Sequence, residues 1–309
     1  MISWQPHRSP SARALAAVLM TVLMLGGCGP NPPGPAANPL GPPGTGAAGV
    51  AGAAGAVPRA DHVMIVVFEN EDYQHVIGAA AAPYLTSLAH AGANFTDAHG
   101  ERHPSQPNYV ALLSGSTQGV TDDSCPQNFP DQPNLARQLL DSGRSFAGYS
   151  EDLPTAGFTG CLSADDRYTR KHNPWVDFAN IPANANLPLS ALPNDFAALP
   201  TVAIMIPNLC HDMHDCRVAT GDAWAQQHLT GYLDWARNHN SLLIVTFDED
   251  DDTAANRIPT VFAGPMVRAG DVPSRIDHYT ILRTIEDMYQ LPPLGAAAAT
   301  PPITGIWAP

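Results

Sequence analysis

The chain has 309 residues, 44% of them hydrophobic, and its 29 acidic against 15 basic side chains give a formal charge of −14. That balance excludes a nucleic-acid-binding surface, because phosphate backbones are held by clustered cations. The length suffices for a large folded domain with a sizeable core.

Residues 1–27 read as an export signal. Arg8 and Arg13 precede an apolar stretch, Ala14 to Leu25, that is too short to span a bilayer. The stretch runs into Leu25, Gly26, Gly27 and Cys28, a lipobox-like sequence in which Cys28 becomes the acylated N-terminus; a plain secretory signal cut nearby is the alternative. Residues 28–60 are almost wholly Gly, Pro and Ala and form an extended tether. Residues 61–309 show neither an internal repeat nor a second break in composition, so they read as one domain. The expected location is the outer face of the cell membrane, with free secretion as the alternative.

Three short apolar, β-branched runs read as strands buried on both faces: His62 to Phe68, Thr201 to Ile206 and Leu242 to Phe247. The first stops in Glu69, Asn70, Glu71 and Asp72, and the last in the acids 248–252. The middle one leads into a segment holding His211, Asp212, His214 and Asp215. Ligands of open α/β sheets sit beyond the carboxyl ends of the strands, so these residues are candidates for one shared site. Between the first two runs, Ala82 to His90 reads as a helix closed by Gly92, followed by a strand near residues 94–99. A further helix starts after Ser105, which stands at the N-cap position, and ends at Gly115. Asn134 to Ser142 reads as helix and Ser145 to Ser150 as a short strand. Residues 150–200, rich in Pro, Asn and Asp, form a long irregular excursion over the active face. Ala223 to His239 and Tyr279 to Tyr289 complete the helices, the latter capped by Asp277. The alternation predicts an α/β fold, a doubly wound and mainly parallel sheet with helices on both faces.

The cysteines beyond Cys28 number four in a chain read as exported, which predicts the disulfides Cys210–Cys216 and Cys125–Cys161. Zinc held by Cys210, His211, His214 and Cys216 is the rival, but the ligands lack the wide gap of zinc-finger spacings. Ser105 is either a helix cap or a nucleophile at the positive end of a helix dipole. No Gly-x-Ser-x-Gly elbow supports a serine esterase. The acids 248–252 are either a solvated loop or ligands, and they fail the EF-hand pattern at Thr253 and Pro259. Oxygen donors from Glu69, Asn70, Ser105, Asp248 and Glu249 suit a divalent cation such as Ca²⁺, Mg²⁺ or Mn²⁺ rather than Zn²⁺. The segment Arg167 to Trp175, with Arg167, Arg170, Lys171 and His172, concentrates positive charge and reads as a phosphate-recognising arm or a charge-balancing loop; Lys171 is the sole lysine of the chain. His103, His172, His211, His214 and His278 are candidates for the proton donor to a leaving group, since each adjoins another candidate.

Together, the segments at Val66–Glu71, His103–Tyr109, Arg170–Trp175, Pro207–Asp215, Leu243–Asp251 and Asp277–Asp287 resemble the bacterial phosphoesterase family of acid phosphatases and phospholipases C, part of the alkaline phosphatase superfamily. Its mycobacterial secreted acid phosphatases are of similar length. The resemblance implies an alkaline-phosphatase-like core, metal binding by Glu69, Asn70, Asp248 and Glu249, and attack on phosphorus by Ser105. It leaves the roles of His172, Asp212, His214 and Asp215 less defined. The implied function is metal-dependent hydrolysis of phosphate monoesters on small molecules or lipids, through a phosphoserine, with Lys171 or a histidine assisting the leaving group. Alternatives are a phospholipase C-type phosphodiesterase and a non-catalytic lipoprotein stabilised by a cation.

Overall fold

The computed structural model describes residues 57–308, so the export signal, Cys28 and most of the tether lie outside the described residues. The strands are β1 (His62–Phe68), β2 (Ala93–Phe95), β3 (Ala98–His99), β4 (Phe146–Ser150), β5 (Asn186–Pro188), β6 (Val202–Ile206), β7 (Ser241–Phe247), β8 (Thr260–Ala263), β9 (Gly270–Val272) and β10 (Ile276–Asp277). The α-helices are α1 (Tyr73–Val76), α2 (Pro83–Ala91), α3 (Gln106–Ser114), α4 (Leu135–Asp141), α5 (Val218–Ala236) and α6 (His278–Tyr289). Eight strands form one sheet in the order β5-β4-β6-β1-β7-β8-β2-β9, and β3 pairs with β10 separately. Every pairing in the large sheet is parallel except those of β8, which runs against β7 and β2. Helices α2 and α5 pack together, as do α3, α4 and α6, which gives the layers of a doubly wound fold.

The central strands behave as their sequences require. Val63 to Phe68 and all of β7 are buried, because a parallel strand between neighbours and helices has no solvent face. The predicted strand at 94–99 is split into β2 and β3. Gly115 ends α3 in the left-handed conformation, at φ +69°, as a C-terminal glycine does. Asp277 caps α6 through a capping box with Thr280. The excursion at 150–200 contains the edge strand β5 and short 3₁₀ turns, one of which spans Arg170–His172.

Two disulfides fasten the loops, Cys125–Cys161 and Cys210–Cys216, so those thiols are not zinc ligands. The excursion is seated on the sheet by Trp175, whose indole donates to Asn186 Oδ1 at 2.8 Å and lies over Gly148 of β4. A Cβ at Gly148 would stand 2.1 Å from Trp175 Cε2, so glycine is required for this approach. Gly148→Ala should therefore destabilise the protein by about 1–3 kcal/mol through overpacking, read as a lower urea midpoint with an unchanged m-value.

Candidate active site

Parallel pairing in register places Phe68 opposite Phe247, so Glu69 and Asp248 leave the sheet side by side at one rim. The Asp248 N–H donates to Phe68 O at 3.0 Å, which extends the ladder by one step. On the other side of β1, the loop after β6 folds back across the strand end. Its Asp212 carbonyl accepts from the Glu69 N–H at 2.9 Å. The fold of that loop is local: Asn208 Oδ1 accepts from the N–H groups of Cys210 and His211, and the Cys210–Cys216 bond closes it. Helix α3 brings Ser105 to the same place.

Ser105 does not cap that helix. Its backbone is already helical and its side chain makes no cap bond. Instead Oγ lies 3.0 Å from Glu69 Oε2 and 3.0 Å from Glu249 Oε1. The capping role falls to Asp123, whose Oδ1 accepts from the Gln106 N–H at 3.0 Å. One turn after Ser105, the Tyr109 hydroxyl donates to Glu69 Oε1, and the phenol ring stacks on His172 with centroids 5.0 Å apart. His103 Nδ1 lies 2.6 Å from Glu249 Oε2 and its Nε2 lies 3.0 Å from Thr253 O.

His172 enters from the excursion. Its Nε2 is 3.1 Å from Glu69 Oε1 and its Nδ1 is 3.3 Å from Asp212 Oδ2. Glu69, His172 and Asp212 each present one ligand atom, all within 4.8 Å of one another. Glu69, Asp212, Asp248 and Glu249 are all buried, at 0%, 0%, 1% and 5% exposure. Burial, reinforced by the charge of Glu249, pushes the Glu69 carboxyl up to about 8. Asp212 and Asp248 are driven well above the usual carboxylate range by burial and by Glu69. Burial, with the nearby charges of Lys171 and His214, holds His172 well below its ordinary value, so its ring is neutral and keeps a lone pair.

These groups fit a divalent cation by their unmet bonding. Asn70 Oδ1, Asp212 Oδ2, Asp248 Oδ2 and His172 Nε2 are buried without a hydrogen-bond partner. A buried polar group left unpaired costs about 1–3 kcal/mol, and a cation would satisfy several at once. The close triad includes an imidazole nitrogen, whereas the sequence pointed to oxygen donors alone. Mixed carboxylate and imidazole donors favour a transition ion over Ca²⁺.

The remaining candidates are spread around this centre. Lys171 Nζ pairs with Asp123 Oδ2 at 2.7 Å; burial opposes its charge, but Asp123 and the carboxylates of Glu69 and Asp248 prevail and raise its pKa. His214 is at the exposed rim, 2.7 Å from Asp215 Oδ1, with its ring centroid 6.0 Å from that of His172. His211 is one layer away, bound to Glu151 Oε2 at 2.8 Å. His278 lies beneath the site as a prop, paired with Glu101 and 2.9 Å from Phe247 O. Tyr109 and Asp123 were not singled out by the sequence. Tyr109 could have been, since a residue four positions after Ser105 shares its helix face; Asp123 gives no such signal.

A mainly parallel α/β sheet thus carries a buried hydroxyl between carboxylates at its strand ends, an arrangement suited to ester hydrolysis. The chain matches the model of the phosphoesterase family over residues 79–292. It is 48% identical over 253 residues to a phosphatidylinositol-3-phosphatase of Mycobacterium tuberculosis, covering 81% of this chain and 84% of that one. It is 30% identical over 260 residues to a phosphate-repressible acid phosphatase of Penicillium chrysogenum, covering 76% of this chain and 60% of the longer fungal one. A solved structure in the alkaline phosphatase superfamily from Vibrio parahaemolyticus superposes with a TM-score of 0.54 at 12% identity, over 81% of this chain and 72% of that chain. The chain belongs to the phosphoesterase family and is a phosphoric ester hydrolase with an alkaline-phosphatase-like fold.

To hold a cation, the carboxylates of this cluster would have to give up protons held at raised pKa, so cation binding should strengthen as pH rises. Adding Mn²⁺ or Zn²⁺ to chelated protein is expected to raise Tm, and to raise it more at pH 8.5 than at pH 5.5. Thermal scans that show no shift at either pH would remove the cluster as a cation seat.

Proposed function

We propose that the protein is a metal-dependent phosphomonoesterase that works through a phosphoserine on Ser105. The observation that carries this reading is the Ser105 hydroxyl, buried and 3.0 Å from each of two carboxylates rather than bonded to its own helix. Glu249 takes the hydroxyl proton as Oγ attacks phosphorus, and His103, bound to its other oxygen, balances the charge through the reaction. Glu69 is held on one oxygen by Tyr109 and on the other by Ser105, which fixes the direction of Oγ. A divalent cation on Glu69, Asn70, Asp212, Asp248 and His172 would lower the pKa of the serine hydroxyl and stabilise charge on the phosphoryl oxygens. Lys171, with Asp123 as its counter-charge, lends positive potential to the same region. His214, exposed and braced by Asp215, is placed to protonate the departing alkoxide. In the second half water attacks the phosphoserine while His214, left without its proton by the first half, takes one from that water, and Glu249 returns the serine proton to Ser105 Oγ as its bond to phosphorus breaks.

The names carried by the relatives, acid phosphatase and phosphatidylinositol-3-phosphatase, support a monoester substrate on a small molecule or a lipid headgroup. Ser105→Ala should lower kcat on p-nitrophenyl phosphate by ~10⁴-fold or more and abolish covalent phosphate in acid-quenched protein. It should leave the fold intact, since no cap bond is lost. Unchanged turnover would remove Ser105 as nucleophile, and preferential cleavage of p-nitrophenylphosphorylcholine would favour the phosphodiesterase alternative.

We also propose export with acylation at Cys28, anchoring the enzyme to the outer face of the cell membrane. The two disulfides support an oxidising compartment. Metabolic labelling with a clickable fatty acid should mark the wild type and fail to mark Cys28→Ser; equal labelling of the two would overturn the anchor.

A further inference from the structure

Asp123 lies in the loop that follows α3 and has both carboxylate oxygens engaged. Oδ1 accepts from the Gln106 N–H at 3.0 Å, and Oδ2 accepts from Lys171 Nζ at 2.7 Å. Gln106 directly follows Ser105, and Pro107 after it has no N–H, so the first bond satisfies the leading donor of the helix that carries the nucleophile. The second bond reaches the residue before His172. With 30% of the Asp123 side chain exposed, water screens the ion pair, which adds about 1 kcal/mol of stability at most. Its effect is one of direction.

The carboxylate is itself fixed from both sides. Gln106 is fully buried, and its side-chain amide, in the orientation that satisfies it, donates to Asp122 O at 3.2 Å and Ser124 O at 2.9 Å, the carbonyls that flank Asp123. Two residues further on, Cys125 is bonded to Cys161, whose carbonyl accepts from the Arg170 N–H at 2.8 Å. Arg170 Nη2 in turn donates to Gln127 O at 3.0 Å. The contacts close a ring, from Asp123 to Cys125, across to Cys161 and Arg170, and from Lys171 back to Asp123. A free lysine side chain has roughly 2 kcal/mol of rotamer entropy, and this ring confines Lys171 to one direction. Its ammonium is the leading influence that opposes the upward shift of Glu69, so its charge is felt at the rim.

We propose that Asp123 is a positioning residue for phosphoryl transfer: through Lys171 it sets where positive charge meets the phosphoryl oxygens, and through the Gln106 N–H it fixes the first turn that carries Ser105. The proposal rests on the phosphomonoesterase reading. Its two routes fall on different constants. Lys171 meets the phosphoryl oxygens in the ground state as well as in the transition state, so misdirecting it raises KM and weakens the hold on inorganic phosphate. The first turn of α3 sets the line along which Oγ approaches phosphorus, so fraying that turn lowers kcat. An ion pair that merely joined two loops would move neither.

The test measures kcat and KM for p-nitrophenyl phosphate, and Kd for inorganic phosphate by calorimetry, in wild type, Asp123→Asn, Asp123→Ala, Lys171→Met and the double variant Asp123→Asn with Lys171→Met. Asparagine keeps an acceptor for Gln106 but turns an amide N–H towards Lys171. Asp123→Asn should raise KM and the phosphate Kd about fivefold or more and leave kcat within about threefold. Asp123→Ala should show the same rise and also lose about tenfold or more in kcat. In the Lys171→Met background Asp123→Asn should add less than about twofold to either constant, because the residue it acts through is gone. A phosphate Kd and KM unchanged in Asp123→Asn, an equal increment with and without Lys171, or full kcat in Asp123→Ala overturns the proposal. Should Asp123→Ala fail to fold, the cycle with asparagine decides by itself. Absence of phosphoester turnover in the wild type removes the phosphomonoesterase reading, and the proposal with it, before any variant is compared.

Discussion

Burial of like charge at the ends of adjacent strands is the constraint on which this structure turns. Glu69 and Asp248 are carried side by side into a buried rim by the register of β1 and β7, and Asp212 and Glu249 close in around them. Ionised together without a counter-charge, such groups would cost several kcal/mol apiece. Burial and their mutual charge accordingly push Glu69, Asp212 and Asp248 above the usual carboxylate range, towards their protonated forms. Neutral His172 and the hydroxyls of Tyr109 and Ser105 complete a set whose unmet bonds converge on a common space.

Much of the rest of the molecule holds that rim together. His278 braces the end of β7 through Phe247 O, and Tyr109 uses both its hydroxyl and its ring, the one on Glu69 and the other on His172. The long excursion would be a loose connection without its anchors. Trp175 lies over Gly148, Asn173 Oδ1 accepts from the Ser150 hydroxyl, Arg170 pairs with buried Asp177, and Cys161 joins the segment to Cys125. A histidine on an irregular segment can then be placed as firmly as one on a strand.

Helix α3 shows how position and role separate. A serine at a helix start is ordinarily a cap, and here the cap is supplied from outside by Asp123. That frees the Ser105 hydroxyl for the carboxylates. The same Asp123 engages Lys171 through its other oxygen, so one side chain sets both the start of α3 and the residue before His172.

The sequence by itself determined the α/β fold, the central buried strands, both disulfide pairings and the rim to which the acids belong. Each follows from local pattern: apolar runs that end in carboxylates, cysteines at countable spacings, and cap residues at fixed offsets. Only the tertiary structure decided which groups meet. That His172 rather than His211 or His278 sits against Glu69, that Tyr109 shares the site, and that Asp123 relieves Ser105 of capping depend on strand order and on how an irregular segment folds back. Contacts between residues 17 to 103 positions apart are set by packing of the whole chain, and no periodicity in the sequence encodes them.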